Sequence, residues 1–365
     1  MAGSSFGSVF RIATWGESHG GGLGVVVDGC PAGMSLCEDD IQIFLDRRKP
    51  GQSEFTTARK EGDKARILSG VFEGKTEGTP IAIVVENTDQ RSKDYSNIAK
   101  LYRPGHADYT FDEKYGFRDY RGGGRSSGRE TIGRVAAGAV AAKFLKGLGI
   151  KTTAYAKAIG PYTVPDEKVD IRYAAENPLC LADPETYEKA SVYARELAAA
   201  GNSAGGIIEC VIDGMRPGIG EPVFDKLDAE LAKAIMSIGA VKGFEIGDGF
   251  KAASSTGLEN NDPFRMVDGN IVKSSNHSGG ILGGISDGSQ IIFRAAVKPT
   301  PSISSPQLTV DKDRQETDIT IHGRHDPLVV PRAVVVVEAM AALTVTDLLM
   351  RNMTARYDKI KNFYI

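Results

Sequence analysis

Arginine and glycine are concentrated in residues 121–131, which read RGGGRSSGRET. Arg121, Arg125 and Arg129 flank three glycines and two serine hydroxyls, directly before a segment with a helical pattern. Guanidinium groups and the free N–H groups of a helix N-terminus both bind phosphate and carboxylate. Three arginines this close together would repel one another without an anion between them. The stretch therefore predicts an anion site, although it lacks the P-loop pattern, and no G-x-G-x-x-G dinucleotide motif occurs in the chain.

The segment Gly16–Gly20 reads GESHG and matches the G-x-S-x-G elbow of α/β-hydrolases. That elbow requires a helix after the serine, whereas glycines and a valine-rich strand follow here. We therefore reject Ser18 as a hydrolase nucleophile. His19 remains as the candidate. A lone histidine is more often structural, but this one lies in a polar loop, which favours proton transfer or phosphate contact.

The other histidines that could do chemistry lie in two loops. His106 is part of RPGHAD, and residues 322–327 read HGRHDP, with His322, His325 and Asp326 close together. These three side chains are typical zinc or iron ligands, so a metal-dependent phosphohydrolase is one hypothesis. Arg324 in the same turn would repel a cation, which favours an anionic ligand and a proton acceptor. A non-catalytic binder of phosphorylated ligands is a third hypothesis, but it leaves the histidines without a role.

Composition narrows the class of protein. The 365 residues carry 44 basic and 47 acidic side chains, a net charge of −3, with 41% hydrophobic and 25% charged residues. Disorder, collagen and coiled coil are excluded, and the basic surface of a nucleic-acid binder is missing. Four separated cysteines and the lack of a signal-peptide pattern predict a cytoplasmic protein. The most apolar stretch, 333–350, contains Glu338 and Asp347 and is too interrupted to span a membrane.

These motifs must be positioned by strands and helices that interleave without a regular βαβ rhythm. Strands are predicted at 24–29, 80–86, 206–212 and 290–297, and helices at 131–148, 183–201, 225–236 and 332–351. Small residues on nearly every face of helix 131–148 predict a buried helix between layers. Residues 87–128 are predicted to be irregular. The pattern indicates an α+β fold, and no linker divides residues 1–365 into domains.

Several of these motifs resemble, in order, those of the chorismate synthase family, over about residues 5–351. They are Gly16–Gly20, Arg103–Asp108, Arg121–Glu130, Gly279–Ile285 and Gly323–Pro327. The resemblance implies a lyase of the shikimate pathway of aromatic amino-acid biosynthesis. Such a lyase forms chorismate and phosphate from 5-enolpyruvylshikimate 3-phosphate by an anti-1,4-elimination. It also implies dependence on reduced FMN, NADPH as a candidate reductant, and a homotetramer of β-α-β sandwiches with helices packed between antiparallel sheets.

The same resemblance implies roles for particular residues and no metal. His19 would protonate the leaving phosphate, His106 would hold the charge of the reduced flavin, and Asp326 would accept a proton. The residues expected to line FMN are Arg125, Ser126, Ser127, Gly239, Ala240, Gly283, Lys298, Pro299, Thr300, Pro301, Ser302 and Arg324. Those expected to bind substrate are Arg48, Arg129 and Arg134, with NADPH as a second candidate ligand of Arg48.

One position departs from the family. Many relatives have an arginine six residues after the one that matches Arg48, and this chain has Glu54. Arg59 is a candidate to replace it.

Overall fold

The computed structural model describes residues 3–56, 61–88, 99–321 and 326–365. The helices are α1 Glu38–Arg48, α2 Asp108–Tyr115, α3 Thr131–Gly147, α4 Ile171–Glu176, α5 Pro184–Ala199, α6 Leu227–Met236, α7 Gly257–Asn260, α8 Val330–Arg351 and α9 Tyr357–Tyr364. The strands up to the middle of the chain are β1 Ser5–Phe6, β2 Arg11–Gly16, β3 Gly22–Asp28, β4 Arg66–Ile67, β5 Val71–Phe72, β6 Lys75–Thr76, β7 Ile81–Glu86, β8 Lys151–Ile159 and β9 Tyr162–Thr163. The later strands are β10 Gly206–Asp213, β11 Val241–Ile246, β12 Phe264–Val267, β13 Asn270–Lys273, β14 Ile281–Leu282, β15 Ile285–Ser286, β16 Ile291–Val297, β17 Gln307–Val310 and β18 Glu316–Ile319.

Two five-stranded antiparallel sheets form the outer layers. The first has the strand order β1-β2-β3-β7-β4 and the second β11-β16-β10-β8-β9. Helix α3 packs on β2, β3 and β7 of the first sheet, while α8 packs on β8 and β10 of the second. The two helices also pack on each other, with α1 beside α3 and α6 beside α8. The predicted α+β sandwich with helices between antiparallel sheets is therefore confirmed.

Two glycines of α3 allow this close layering. A Cβ at Gly138 would lie 2.3 Å from the Cβ of Ala339 on α8, so no larger residue fits without movement. A Cβ at Gly133 would lie 3.0 Å from the carbonyl oxygen of Gly24 in the first sheet. Helix α3 thus approaches the sheet on one side and α8 on the other. The small residues in its sequence indicated this position between layers.

Helix α8 owes its apolar sequence to burial in the core. Residues Val330–Thr354 are long and apolar enough to cross a membrane, so the prediction that Glu338 and Asp347 interrupt the stretch too much for a span was wrong. It is burial that distinguishes this helix, since 89% of the most apolar window is buried inside the fold, as in the core helix of a globular protein. The carboxylate of Glu338 pairs with Arg47 through two hydrogen bonds of 2.7 and 2.9 Å. The carboxylate of Asp347 accepts hydrogen bonds from the backbone amides of Ser8, Val9 and Phe10. These two acidic residues therefore connect α8 to neighbouring segments.

The segment predicted to be irregular contains one regular helix. Helix α2 begins at Asp108, the last residue of the RPGHAD loop, and ends at Tyr115, followed by Gly116, whose φ of 79° is left-handed. Two short 3-10 turns at 124–126 and 128–130 then lead into α3. The expectation of an irregular segment was wrong for α2, because its short polar sequence lacks the apolar spacing of a longer helix.

Candidate active site

His19 lies in the turn that joins β2 to the neighbouring antiparallel strand β3, which excludes the hydrolase elbow. Its Nδ1 is 2.8 Å from the Oγ of Ser18, and both side chains are buried. Gly122 packs against the histidine ring. It has a φ of +65°, and a Cβ there would lie 2.5 Å from the ring atoms Cε1 and Nδ1. The glycine loop predicted to bind an anion is therefore in direct contact with His19.

The arginines on the first half of that loop have protein partners. Arg121 donates to Asp119 over 2.8 and 3.0 Å. Arg125 donates to the Oγ1 of Thr14 over 2.7 Å and to the carbonyl oxygen of Gly16 over 3.1 Å, which ties the loop to β2. Oxygen atoms of the protein therefore compensate these charges. The repulsion argument does not by itself require a bound anion.

A buried ion cluster lies where the third arginine enters α3. Asp63 accepts from Arg48 over 3.0 Å through Oδ2, and its Oδ1 is 3.1 Å from Nη1 of Arg129. Arg48 is only 2% exposed and donates two further hydrogen bonds to segment 128–131. Burial and the neighbouring charge of Arg332 lower the pKa of Arg48 to about 9. Asp63 carried no local sequence signal, because a single aspartate in a loop is common.

Asp326 belongs to the same cluster. Its carboxylate pairs with Arg332, whose Nε donates to the carbonyl oxygen of Arg48 over 3.0 Å. His322, Arg324 and His325 lie outside the described residues, so their predicted roles stay predictions. Among the residues that the structure describes, no group of three or more His, Cys, Asp and Glu side chains could hold a metal ion.

The loop that contains His106 contacts the segment Lys298–Ser302. The catalytic histidine and the FMN-lining segment predicted from the sequence are therefore neighbours. His106 Nε2 lies 2.7 Å from Ser302 Oγ. Lys298 Nζ donates to the carbonyl oxygen of Gly105 over 2.6 Å. Gly105 has a φ of +71°, and a Cβ there would lie 2.8 Å from Pro301 Cβ. The histidine loop thus rests on the proline-containing loop with little space between them.

The turn that contains Gly239 and Ala240 adjoins the same loop. The backbone amide of Lys298 donates to the carbonyl oxygen of Ala240 over 2.9 Å. Ala240 has a φ of 74°, which is uncommon for a residue with a side chain and often marks a functional site. Burial and the nearby charge of Lys242 lower the pKa of Lys298. Gly239 is exposed, so its backbone is open to a ligand.

Arg134 is directed at this turn through its own contacts. It donates to the Oγ of Ser237 over 2.6 Å, to the carbonyl oxygen of Ser237 over 3.2 Å and to Glu130 over 2.8 Å. In this structure it connects α3 to the residues before Gly239. A direct contact of Arg134 with substrate stays a prediction.

Gly283 lies in a turn beside the start of α6. It forms the turn between β14 and β15, and the next residue, Gly284, accepts a hydrogen bond from Leu227 at the start of α6. Gly239 and Ala240 follow the opposite end of α6, and ten helical residues span about 15 Å. The predicted contact of Gly283 with FMN stays a prediction.

Glu54, which stands where many relatives have an arginine, forms an ion pair with an arginine far away in the sequence. Glu54 pairs with Arg195 of α5 over 2.9 and 3.2 Å, and the guanidinium of Arg195 also lies over the ring of Phe55, 5.5 Å from its centre. Arg59 lies outside the described residues. Arg195 is separated from Glu54 by 141 positions, so no local pattern could have indicated the pair.

The loops of the site form one continuous group. A Cβ at Gly123 would lie 3.2 Å from Ser126 Oγ and 3.8 Å from the guanidinium of Arg103, so the glycine loop also reaches the RPGHAD loop. Ser127 Oγ accepts from the backbone amide of Arg129 over 3.3 Å, which joins this loop to the buried ion cluster. His19, His106 and Asp326 are therefore linked through neighbouring contacts. Such a site offers proton-transfer groups beside several cationic side chains.

Comparison with known proteins agrees on one family. The family model described as chorismate synthase matches residues 10–350. The chorismate synthase of Lachnospira eligens is 66% identical over 364 residues, covering 100% of both chains, and that of Agathobacter rectalis is 65% identical, covering 100% of this chain and 99% of its own. A solved structure titled "Crystal Structure of Chorismate Synthase" has a TM-score of 0.77 and 32% identity, covering 98% of this chain and 97% of its own.

Proposed function

The chain belongs to the chorismate synthase family of carbon–oxygen lyases, and we propose that it converts 5-enolpyruvylshikimate 3-phosphate to chorismate and phosphate with reduced FMN. The reaction is an anti-1,4-elimination, which requires loss of phosphate and removal of a proton. The contact of Gly122 with His19 carries the proposal, because it sets a proton donor beside the glycine–arginine loop. A phosphate bound at that loop would leave next to the imidazole.

His19, His106 and Asp326 divide the acid–base work. His19 protonates the departing phosphate, since an alkyl phosphate leaves more readily when its oxygen is neutralised. His106, oriented by Ser302, stabilises negative charge on the reduced flavin. Asp326, oriented by Arg332, accepts the proton that the substrate loses. Removing any one of these groups should lower the rate of the chemical step much more than it lowers the affinity for substrate.

The residues that would hold FMN suit a planar group with a phosphate. Gly239 leaves the backbone open to close approach, while Lys298 and Ser302 supply a cation and a hydroxyl in the adjoining loop. Ser126 and Ser127 add hydroxyls at the edge of the glycine loop. The segment Lys298–Ser302 is stiff, because two of its residues, Pro299 and Pro301, are prolines on either side of Thr300. When bound, reduced FMN supplies electron density to the reacting substrate without being consumed.

The arginines predicted to bind substrate would act from inside the fold. The substrate carries a phosphate and two carboxylates, which need cationic partners in a chain of net charge −3. Each of these arginines, Arg48, Arg129 and Arg134, donates hydrogen bonds to acceptor groups of the protein. A direct bond to substrate would therefore replace one of these contacts. We propose that they supply positive potential at the site, and that NADPH is a candidate reductant.

Several further properties belong to the same proposal. The protein would be a cytoplasmic flavoprotein and a homotetramer. It would contribute to aromatic amino-acid biosynthesis and bind neither nucleic acid nor membranes.

The experiment is a flavin-binding titration of the purified protein. We expect FMN to bind and its absorption spectrum to change when 5-enolpyruvylshikimate 3-phosphate is added. Ser302→Ala should weaken this response. The matched control Ser305→Ala should not, because within the described part of the chain the hydroxyl of Ser305 donates to the carbonyl oxygens of Ala200 and Gly201 over 3.3 Å. Failure to bind FMN, together with stoichiometric zinc or iron, would favour the phosphohydrolase instead.

A further inference from the structure

We propose that Asp108 is a positioning residue for His106, because its carboxylate closes the loop 103–108 that presents the imidazole. This inference rests on the proposed function only for the role of His106 in catalysis. The geometry of the loop itself is independent of that role.

The carboxylate of Asp108 binds Arg103 at three places. Oδ2 accepts from the backbone amide over 3.0 Å and from Nε over 2.7 Å, while Oδ1 accepts from Nη2 over 2.8 Å. Both side chains are 5% exposed. Two-pronged contacts between a guanidinium and a carboxylate fix orientation as well as distance. The four residues between Arg103 and Asp108, with His106 among them, are therefore held in a closed loop.

The opposite side of this loop is fixed by the contacts to Lys298 and Ser302. Within the loop, the backbone amide of His106 donates to the carbonyl oxygen of Arg103 over 3.2 Å. Any movement of Arg103 is thus transmitted to the backbone of His106. Since a displacement of about 1 Å can lower a rate by about a hundredfold, this support matters for catalysis.

Two buried arginines, Arg103 and Arg118, favour the ionised form of Asp108. Nε of Arg118, which is 3% exposed, lies 3.6 Å from Oδ1 of Asp108. Burial raises the pKa of Asp108, but the hydrogen bonds and charge of Arg103 outweigh it, so the pKa lies below its usual value. Neutralising Asp108 would leave Arg103 and Arg118 buried together with less negative charge to separate them.

Asp112 offers a matched control on the same helix. It lies one turn after Asp108 and pairs with Arg118 and with Lys312, the latter over 3.0 Å. The ion pairs of its carboxylate are with these two cations, and although Arg118 also lies 3.6 Å from Asp108, Asp112 takes no part in the three hydrogen bonds that join Asp108 to Arg103. Asp112→Asn therefore removes a comparable charge pair from α2 without opening the loop.

The experiment compares the wild-type protein, Asp108→Asn and Asp112→Asn. The imidazole resonance of His106 is measured by NMR without flavin or substrate, and is assigned by its loss in His106→Gln. We expect Asp108→Asn to shift or broaden this resonance and to lower kcat about tenfold or more, with KM changed much less. Asp112→Asn should keep the wild-type resonance and a kcat within about twofold, whatever its effect on stability.

Two results would overturn the proposal. One is a wild-type resonance and kcat in Asp108→Asn, and the other is equal losses in Asp112→Asn, which would indicate a general effect on α2. If Asp108→Asn does not fold, Arg103→Lys takes its place, because lysine keeps the charge but cannot make the two-pronged contact. A wild-type protein that forms no chorismate would refute the proposed function, whereas the resonance measurement would still decide the position of His106.

Discussion

Between the two sheets, α3 meets α8 at Gly138 and Ala339, and the contact depends on a missing side chain. Around His106, the loops meet through a carboxylate, a lysine, a serine and an arginine. The helical contact has no spare volume, so an added methyl group must push the layers apart. The loop contacts are directional, so a changed side chain can move an imidazole while the layers stay in place. We therefore expect the two regions to fail differently, one in stability and the other in rate.

The largest effect expected at the loops is that of His19→Ala. If His19 protonates the leaving phosphate, kcat should fall by about two to four orders of magnitude. KM should change far less, because the cationic side chains remain. Steady-state kinetics and thermal unfolding of the same sample separate the two quantities. A loss confined to KM would mean that His19 only binds the substrate.

The helical centre should respond to Gly138→Ala with lower stability. The new Cβ would lie 2.3 Å from that of Ala339, and such overpacking costs about 1–3 kcal/mol. The kcat of the folded fraction should stay at the wild-type value. Gly147→Ala at the last residue of the same helix is the control, since among the described residues no heavy atom outside its chain neighbours and its own helix backbone lies within 4 Å of the added Cβ, and alanine favours a helix by up to about 1 kcal/mol. The free energy of unfolding is measured with denaturant. If both variants change it in the same direction, this explanation of the contact between α3 and α8 is wrong.

The smallest effect concerns the thiols. Burial raises the pKa of Cys30 and Cys180 to about 11 and that of Cys210 well above its usual value, while Cys37 is exposed. Because the thiolate is the reactive form and a raised pKa keeps a thiol protonated, only Cys37 should react quickly with Ellman's reagent near about pH 8. All four thiols should react after unfolding. Rapid reaction of a second thiol in the native protein would show that the core opens more readily.

The sequence allowed the centre to be predicted because its signals are local. Small residues of α3 recur within one helix, and their spacing alone indicates burial on more than one side. The apolar stretch of α8 likewise indicated a helix, but its burial in the core became visible only in the fold. The predicted boundaries differ from those observed by one or two residues, as is usual at helix ends.

The loops were harder to predict because their contacts join distant residues. His106 and Ser302 are 196 positions apart, and Asp63 reaches Arg129 from another part of the chain. Arginine-rich motifs indicated positive charge correctly, but not the internal carboxylates that balance it. Asp63 and Arg332 had no pattern of their own and became visible only through the fold.

The most direct test of the account is anaerobic turnover of 5-enolpyruvylshikimate 3-phosphate with photoreduced FMN and no nicotinamide. Chorismate and inorganic phosphate are measured together, and the flavin is returned to air at the end to determine how much was consumed. We predict equal amounts of both products, many turnovers per flavin and no turnover with oxidised FMN. Equal rates with oxidised and reduced flavin, or phosphate release without chorismate, would contradict the account.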